Sequence, residues 1–233
     1  MGNFGSYESF AYDDGTRTPT FYVTRDADNG VLTRFTPDAT GMACYNQRNE
    51  YDRWCTLDHG GLDYLLISGG SSGTFQWTRN LNAAKANARR YYPFSEGIDI
   101  ADGVLYFVSK HLKRLLILNL RTMRYTYHST RSGAFNHQPD QVARLVDDDE
   151  SILYFCEDGG RDPGVHGRNH RGRFFTILYG SFSGAEETTG LAFSPDGLRM
   201  YVSFQNIGII YEVTRDDGRP FQGELLDIKY HAT

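Results

Sequence analysis

The 233-residue sequence predicts an all-β protein: a β-propeller of four-stranded antiparallel blades, five or six in number and possibly an incomplete ring, with a short helical insertion. Three observations carry that prediction. The composition combines Tyr 16, Phe 15 and Gly 25; aromatic side chains suit pleated, half-buried surfaces, and glycine supplies the turns between strands. A short apolar strand with a central tyrosine recurs four times, as Phe21-Tyr22-Val23, Leu105-Tyr106-Phe107, Leu153-Tyr154-Phe155 and Met200-Tyr201-Val202. From Tyr106 to Tyr154 and from Tyr154 to Tyr201 the spacing is 48 and 47 residues, near the roughly 40 to 50 residues of a propeller blade.

Each tyrosine strand follows a turn cluster: Asp13-Asp14-Gly15, Asp102-Gly103, Asp147-Asp148-Asp149 and Pro195-Asp196-Gly197. Each turn follows a short apolar alternation headed by an acid, namely Glu8, Glu96, Asp140 and Glu187, at offsets of 14, 10, 14 and 14 from the tyrosine. A third strand comes next in every unit, over Val31 to Phe35, Leu115 to Leu120, Phe174 to Leu178 and Ile209 to Val213. Signals such as Asp28-Asn29-Gly30 and Asn206-Ile207-Gly208 separate these strands.

The first interval, from Tyr22 to Tyr106, is 84 residues and spans about two blades. It contains a strand over Leu62 to Ile67, a flexible Gly69-Gly70-Ser71-Ser72-Gly73 loop, and a helix over Asn80 to Arg90, a stretch free of Gly and Pro. The glycine loop lacks the Lys-Ser/Thr ending of a phosphate-binding P-loop. Residues 39–95 are therefore expected to be a degenerate blade carrying a loop and a helix, within a single propeller domain over 1–233. Glu224 to Tyr230 is a candidate closing or fourth strand, and blade number stays open between five and six.

Lys plus Arg total 24 against 29 Asp plus Glu, a formal charge of −5 that gives no electrostatic reason to expect a nucleic-acid or anionic-membrane partner. No stretch approaches the roughly 20 apolar residues of a membrane-spanning helix. Met1-Gly2-Asn3-Phe4 has no basic region leading into an apolar run, so no signal peptide is expected. Cys44 and Cys55 flank a polar, tyrosine-rich segment that either closes as a disulfide loop or stays reduced; both readings are open, with Cys156 apart in an apolar run.

Propeller inner strands line a channel. Repetition is expected to bring Glu8, Glu96, Asp140 and Glu187 around one axis, where shielded carboxylates cannot all stay ionised. Calcium, which accepts six to eight oxygens in irregular geometry, resolves that conflict. The competing reading, that each acid caps a turn or meets a neighbouring cation, is better for any one acid than for four in register.

The stretch from Cys156 to Arg171 is the richest in ionisable side chains and reads as a functional loop. Its Glu157 and Asp158 extend the metal site, and Arg161 or Arg168 is a candidate phosphate contact; a solvated loop with weak ion pairs is the alternative. His166 and His170 are four apart with a glycine between them, which argues against a helical metal pair and hence against zinc. His137, Gln205 and Asn206 are weaker candidates. No G-x-S-x-G elbow occurs, so nothing in the sequence signals a hydrolase-type serine nucleophile.

The segment Glu187-Thr188-Thr189-Gly190-Leu191-Ala192-Phe193-Ser194-Pro195-Asp196-Gly197, with Met200 to Gln205, resembles the C-terminal motif of PhoX-type alkaline phosphatases. Tyr7 to Asp13 leading to Phe21 to Asp26, and Ser95 to Ile98 with Asp102 to Phe107, look like further blades of that family. The resemblance implies a six-bladed propeller whose carboxylates hold calcium and iron and which hydrolyses phosphate monoesters outside the cytoplasm. Metal-ligand roles carry over most directly to Glu8, Glu96 and Glu187. The family's iron-binding cysteine sits in a Trp-rich run ending Cys-Glu-Glu; here only Trp54-Cys55-Thr56 and Phe155-Cys156-Glu157-Asp158 echo it. Three functions are thus on the table: a metal-dependent phosphomonoesterase acting on a small phosphorylated substrate, a non-catalytic propeller binding a protein or glycan, and a lactonase-like hydrolase.

Overall fold

The computed structural model describes residues 7–13, 15–145, 151–180, 186–222 and 228–232. The fold is all-β, in three antiparallel sheets. The first has nine strands: β1 (Tyr7–Asp13), β2 (Thr20–Arg25), β3 (Thr33–Pro37), β4 (Gly60–Gly69), β5 (Ser72–Thr78), β6 (Ser95–Ala101), β7 (Val104–Ser109), β8 (Arg114–Asn119) and β9 (Arg124–Ser129). Their order is β1-β2-β3-β4-β5-β9-β8-β7-β6. The second sheet is the meander β10 (Gln138–Arg144), β11 (Leu153–Asp158), β12 (Gly164–Arg168) and β13 (Phe174–Tyr179). The third is β14 (Thr188–Phe193), β15 (Arg199–Phe204) and β16 (Ile209–Thr214).

The four tyrosine strands are β2, β7, β11 and β15, each second in its meander, as the repeat predicts. Between β6 and β7 the turn is a two-residue hairpin, Asp102 and Gly103, with φ of 51° and 72°. Both positive angles match the right-handed strand twist, and Asp-Gly is the dipeptide that adopts them at least cost. Asp14 and Asp147-Asp148-Asp149, expected in the equivalent turns, and most of the Glu224 to Tyr230 strand lie outside the described residues.

Three features differ from expectation. The Leu62–Ile67 strand founds no sheet of its own among the described residues; as β4 it extends β1-β2-β3, and β5 then pairs with β9 through Ser72 and Thr126. Of the predicted glycine loop, Gly69, Ser72 and Gly73 are strand residues of the β4–β5 hairpin, and Gly70 and Ser71 alone form its turn. Most consequential, the stretch expected to be one functional loop contains β12, all five of whose residues are buried. Two glycines and a histidine in Gly164-Val165-His166-Gly167-Arg168 hid a central strand, so Phe174 to Leu178 is the fourth strand of its sheet and not the third.

The chain packs as two compact units, one running to Leu112 with Leu116–His128 and the other comprising Lys113–Leu115 and Ser129 onward. The first has a core of Leu32, Leu65, Tyr92, Leu105, Phe107, Leu116 and Leu118. Helix α2 (Leu81–Tyr91) adds Ala84, Ala88 and Tyr91, spaced to lie on one face, and starts at Asn80, whose side chain accepts from Ala83 N. Asn87 fastens it to β4 by bonding both the N–H and the C=O of Ile67. Helix α1 (Ala39–Tyr45) and a 3₁₀ segment (Glu50–Asp58) carry the Cys44–Cys55 disulfide, which settles the cysteine question. The second unit is built on Ile152, Tyr154, Val165, Phe175, Met200, Val202, Phe204 and Phe221.

Candidate functional site

The four acid-headed strands are β1, β6, β10 and β14. Cross-strand register gives a firmer alignment than sequence offsets do. Tyr22 faces Ala11, Tyr106 faces Asp99, Tyr154 faces Ala143, and Tyr201 faces Ala192. Glu8, Glu96 and Asp140 each stand three residues before that partner, inside a bulge where two residues oppose one on the tyrosine strand. A bulge re-aims its side chains, and here it does so at the same place in three strands. Glu187 stands five residues before its partner, outside β14, because the link from Ala192 to Tyr201 is two residues shorter than those of Ala11 to Tyr22 and Ala143 to Tyr154. Equal offsets of 14 therefore concealed unequal turns.

In the first unit Glu96 is buried, 1% exposed, with Lys110 Nζ at 3.1 Å from its Oε1. Glu8 is exposed as a residue, yet its carboxyl is pushed up from 4.5, mainly by desolvation and then by Asp26; its hydrogen bond with Glu96 and the charge of Lys110 oppose this. Asp26 Oδ1 is buried without a hydrogen bond. Lys110 is thus set against Glu96 and Glu8, with Asp26 adding negative charge at Glu8.

In the second unit Asp140 (3% exposed) and Glu157 (0%) are buried, and Glu187 accepts from Gln205 Nε2 at 3.0 Å. A bridge between Asp158 and Glu187 places these acids at one end of β11. Glu157 is surrounded by donors: Asn136 N and His137 N on Oε1 at 3.0 and 2.7 Å, Gly164 N and His166 Nε2 on Oε2 at 3.3 and 3.0 Å. A carboxylate offers about four acceptor positions, so a cation on Glu157 would have to displace one of these donors. Thr188 Oγ1 takes the Glu157 N–H at 2.9 Å and donates to Gly164 O at 2.8 Å, fixing the backbone at that corner.

The chain of polar contacts continues from His166. Its Nδ1 lies 3.0 Å from Thr176 Oγ1, which lies 2.8 Å from His231 Nε2, and His231 Nδ1 is 3.1 Å from Ser132 Oγ. Phe135 stacks on the His166 ring with centroids 4.4 Å apart. Burial, then the proximity of His166, holds the His231 pKa below its usual 6.5. Thr176, Thr188, His231 and Ser132 carry no sequence signal, because each acts through a partner distant along the chain.

The two arginine candidates are separated. Arg161 is exposed ahead of β12, while Arg168 ends that strand, 8% exposed and over the Phe174 ring. His170 is exposed in the turn after β12, and His166 is wholly buried within it. Cys156 is buried in β11 with its thiol pushed well up by desolvation, and the other two cysteines are bonded to each other; no thiolate is on offer to iron. The oxygen donors suit calcium by chemical type, although among the described residues no group of three or more His, Cys, Asp or Glu lies close enough to hold a metal ion. No helix among the described residues is long and apolar enough to cross a membrane.

Antiparallel meanders with bulged, acid-bearing first strands define a protein of the propeller class. Solved structures agree at the level of fold. The chain is similar to Pseudomonas fluorescens PhoX in complex with vanadate, a transition state analogue, with a TM-score of 0.67 and 16% identity over 93% of this chain and 54% of that one. It is also similar to a structure of the nidogen/laminin complex, with a TM-score of 0.51 and 12% identity over 90% of this chain and 65% of that one. The chain therefore spans about half to two-thirds of the length of these structures. No family model matches the sequence, and no curated protein matches it.

Proposed function

We propose that this chain belongs to a calcium-dependent propeller hydrolase of the PhoX type, acting outside the cytoplasm on small phosphate monoesters. The observation that carries the reading is the shared bulge position of Glu8, Glu96 and Asp140 in three first strands. Glu8 and Glu96 within the first unit, and Asp140 and Glu187 within the second, are the carboxylates that would bind calcium. Glu157, expected among them, is committed to its four donors and would act as a fixed negative charge within the second unit. Bound calcium would supply charge stabilisation for a phosphoryl oxygen. Arg161, which is exposed, is the better candidate for steadying that charge; Arg168 would serve from its buried position as packing. The likeness to a protein solved with vanadate supports the substrate class, and the Cys44–Cys55 disulfide supports an oxidising compartment.

The test is elemental analysis of the purified chain together with hydrolysis of an aryl phosphate, with and without calcium. Bound calcium and turnover abolished by chelator are expected, and Glu96→Gln should lower both. Calcium-replete protein that never cleaves the aryl phosphate would refute the phosphatase reading, leaving a binding propeller or a hydrolase of other esters such as lactones. Protein that takes up no calcium would refute the cation itself.

A further inference from the structure

One arrangement of protons satisfies the side-chain contacts around His166 and His231 with both rings neutral. Glu157 meets only donors, so His166 Nε2 carries its proton toward the carboxylate. His166 Nδ1 is then an acceptor and takes the Thr176 hydroxyl proton. With both rings neutral, Thr176 Oγ1 is left to accept from His231 Nε2–H, and His231 Nδ1 is the unprotonated nitrogen facing the Ser132 hydroxyl, while a hydrogen bond to the Ser132 backbone raises the ring's pKa. One buried carboxylate thus sets the tautomer of two histidines in series and delivers a basic nitrogen to a serine.

The surroundings of Ser132 fit that outcome. Ser132 is half-buried, between exposed Arg131 and exposed Gly133, whereas Glu157 and His166 at the other end are fully buried. Ser132 and Phe135 exchange both backbone hydrogen bonds in a tight turn, at 2.8 and 2.9 Å, so the hydroxyl sits on a fixed frame. Gly133 has φ of 53°, and a Cβ there would come within 2.7 Å of the His231 ring. Only glycine allows both the turn and the ring's approach. Arg131 adjoins the serine and is near enough to Lys113 to depress that ammonium's pKa, though desolvation contributes more; the rim is cationic.

We propose that Ser132 is a base-activated nucleophile for acyl transfer, with His231 as its general base, acting on an anionic carboxylic ester. Ser132 Oγ bonds to the ester carbonyl carbon as its proton passes to His231 Nδ1. The carbon–alkoxy bond then breaks, and the alcohol leaves with that proton. Water, deprotonated by His231, cleaves the resulting acyl-serine to the free acid and returns the hydroxyl. Thr176, His166 and Glu157 are positioning residues, acting through His231. This inference goes beyond the calcium reading and needs no metal.

An alkyl fluorophosphonate tests it on the full chain. The Ser132 oxygen would form a bond to phosphorus, fluoride would leave, and the proton would move to His231. The expected result is one adduct per chain, mapped by peptide mass spectrometry to Ser132 and retained in chelator. Ser132→Ala should abolish it, Ser68→Ala should not, and His231→Gln should slow labelling by about 100-fold or more. Thr176→Val should slow it less and alter the pH profile of labelling while circular dichroism stays unchanged. An unlabelled wild-type chain, or an adduct mapped elsewhere, overturns the proposal whatever the variants do. Loss of phosphatase activity in chelator with labelling intact would separate this site from the calcium-dependent one.

Discussion

At the scale of the residue, Glu157 governs more than its position in the sequence suggests. It is wholly buried, and removing it leaves three backbone amides and a histidine without their acceptor. Glu157→Ala is expected to cost about 3–5 kcal/mol, the loss typical when one member of a buried pair is deleted, read as a lowered urea midpoint; a change under about 1 kcal/mol would show that water replaces the carboxylate. His231 gives the pH dependence. Its folded-state pKa lies below 6.5, so in acid the unfolded chain binds more protons than the folded one. The contribution is fully present above about pH 6.5 and is lost as pH falls toward the lower folded value. Denaturant titrations should therefore show stability declining below pH 6.5, with a shallower decline in His231→Gln. The acids themselves were legible because they recur. The histidine–threonine–serine series was not, since hydrogen bonding links positions 10 to 99 residues apart only after folding.

At the scale of the element, tyrosine strands and their turns could be read directly, for alternating apolar residues and Asp-Gly pairs act locally. Strand β12 could not. Gly164 and Gly167 suit it because the His166 and Phe175 rings lie where a Cβ would project, at 2.8 and 2.2 Å. That is a tertiary reason for a composition that looks like a loop. The disulfide is a second element-scale feature. It closes a loop of a dozen residues across α1 and the 3₁₀ segment, where Tyr51 and Trp54 are exposed and little core holds the backbone. Chain entropy gives the bridge about 3 kcal/mol. Reduction should lower the melting temperature and raise hydrogen exchange over residues 39–58 first; exchange unchanged there would mean the packing of Thr56 and Gly41 suffices.

At the scale of the whole molecule, calcium is expected to act as a stabiliser bound by the folded chain alone. At a hundredfold excess over its dissociation constant it would add about 2.7 kcal/mol. For a chain of this size that corresponds to a rise of roughly 5 to 10 °C in melting temperature. A melting curve indifferent to calcium and to chelator would remove the cation from the account.

The amino-acid sequence by itself determined the class of fold, the order of the tyrosine strands, the α2 helix and the identity of the acids. Those properties follow from side-chain period, turn chemistry and helix propensity, which act over a few residues. Only the tertiary structure decided the register that aligns Glu8, Glu96 and Asp140 but sets Glu187 apart, the burial of the His166 strand, and the path from Glu157 to Ser132. Register depends on turn length and bulges, and a hydrogen-bond chain depends on which side chains meet. Both are properties of packing, which no local pattern encodes.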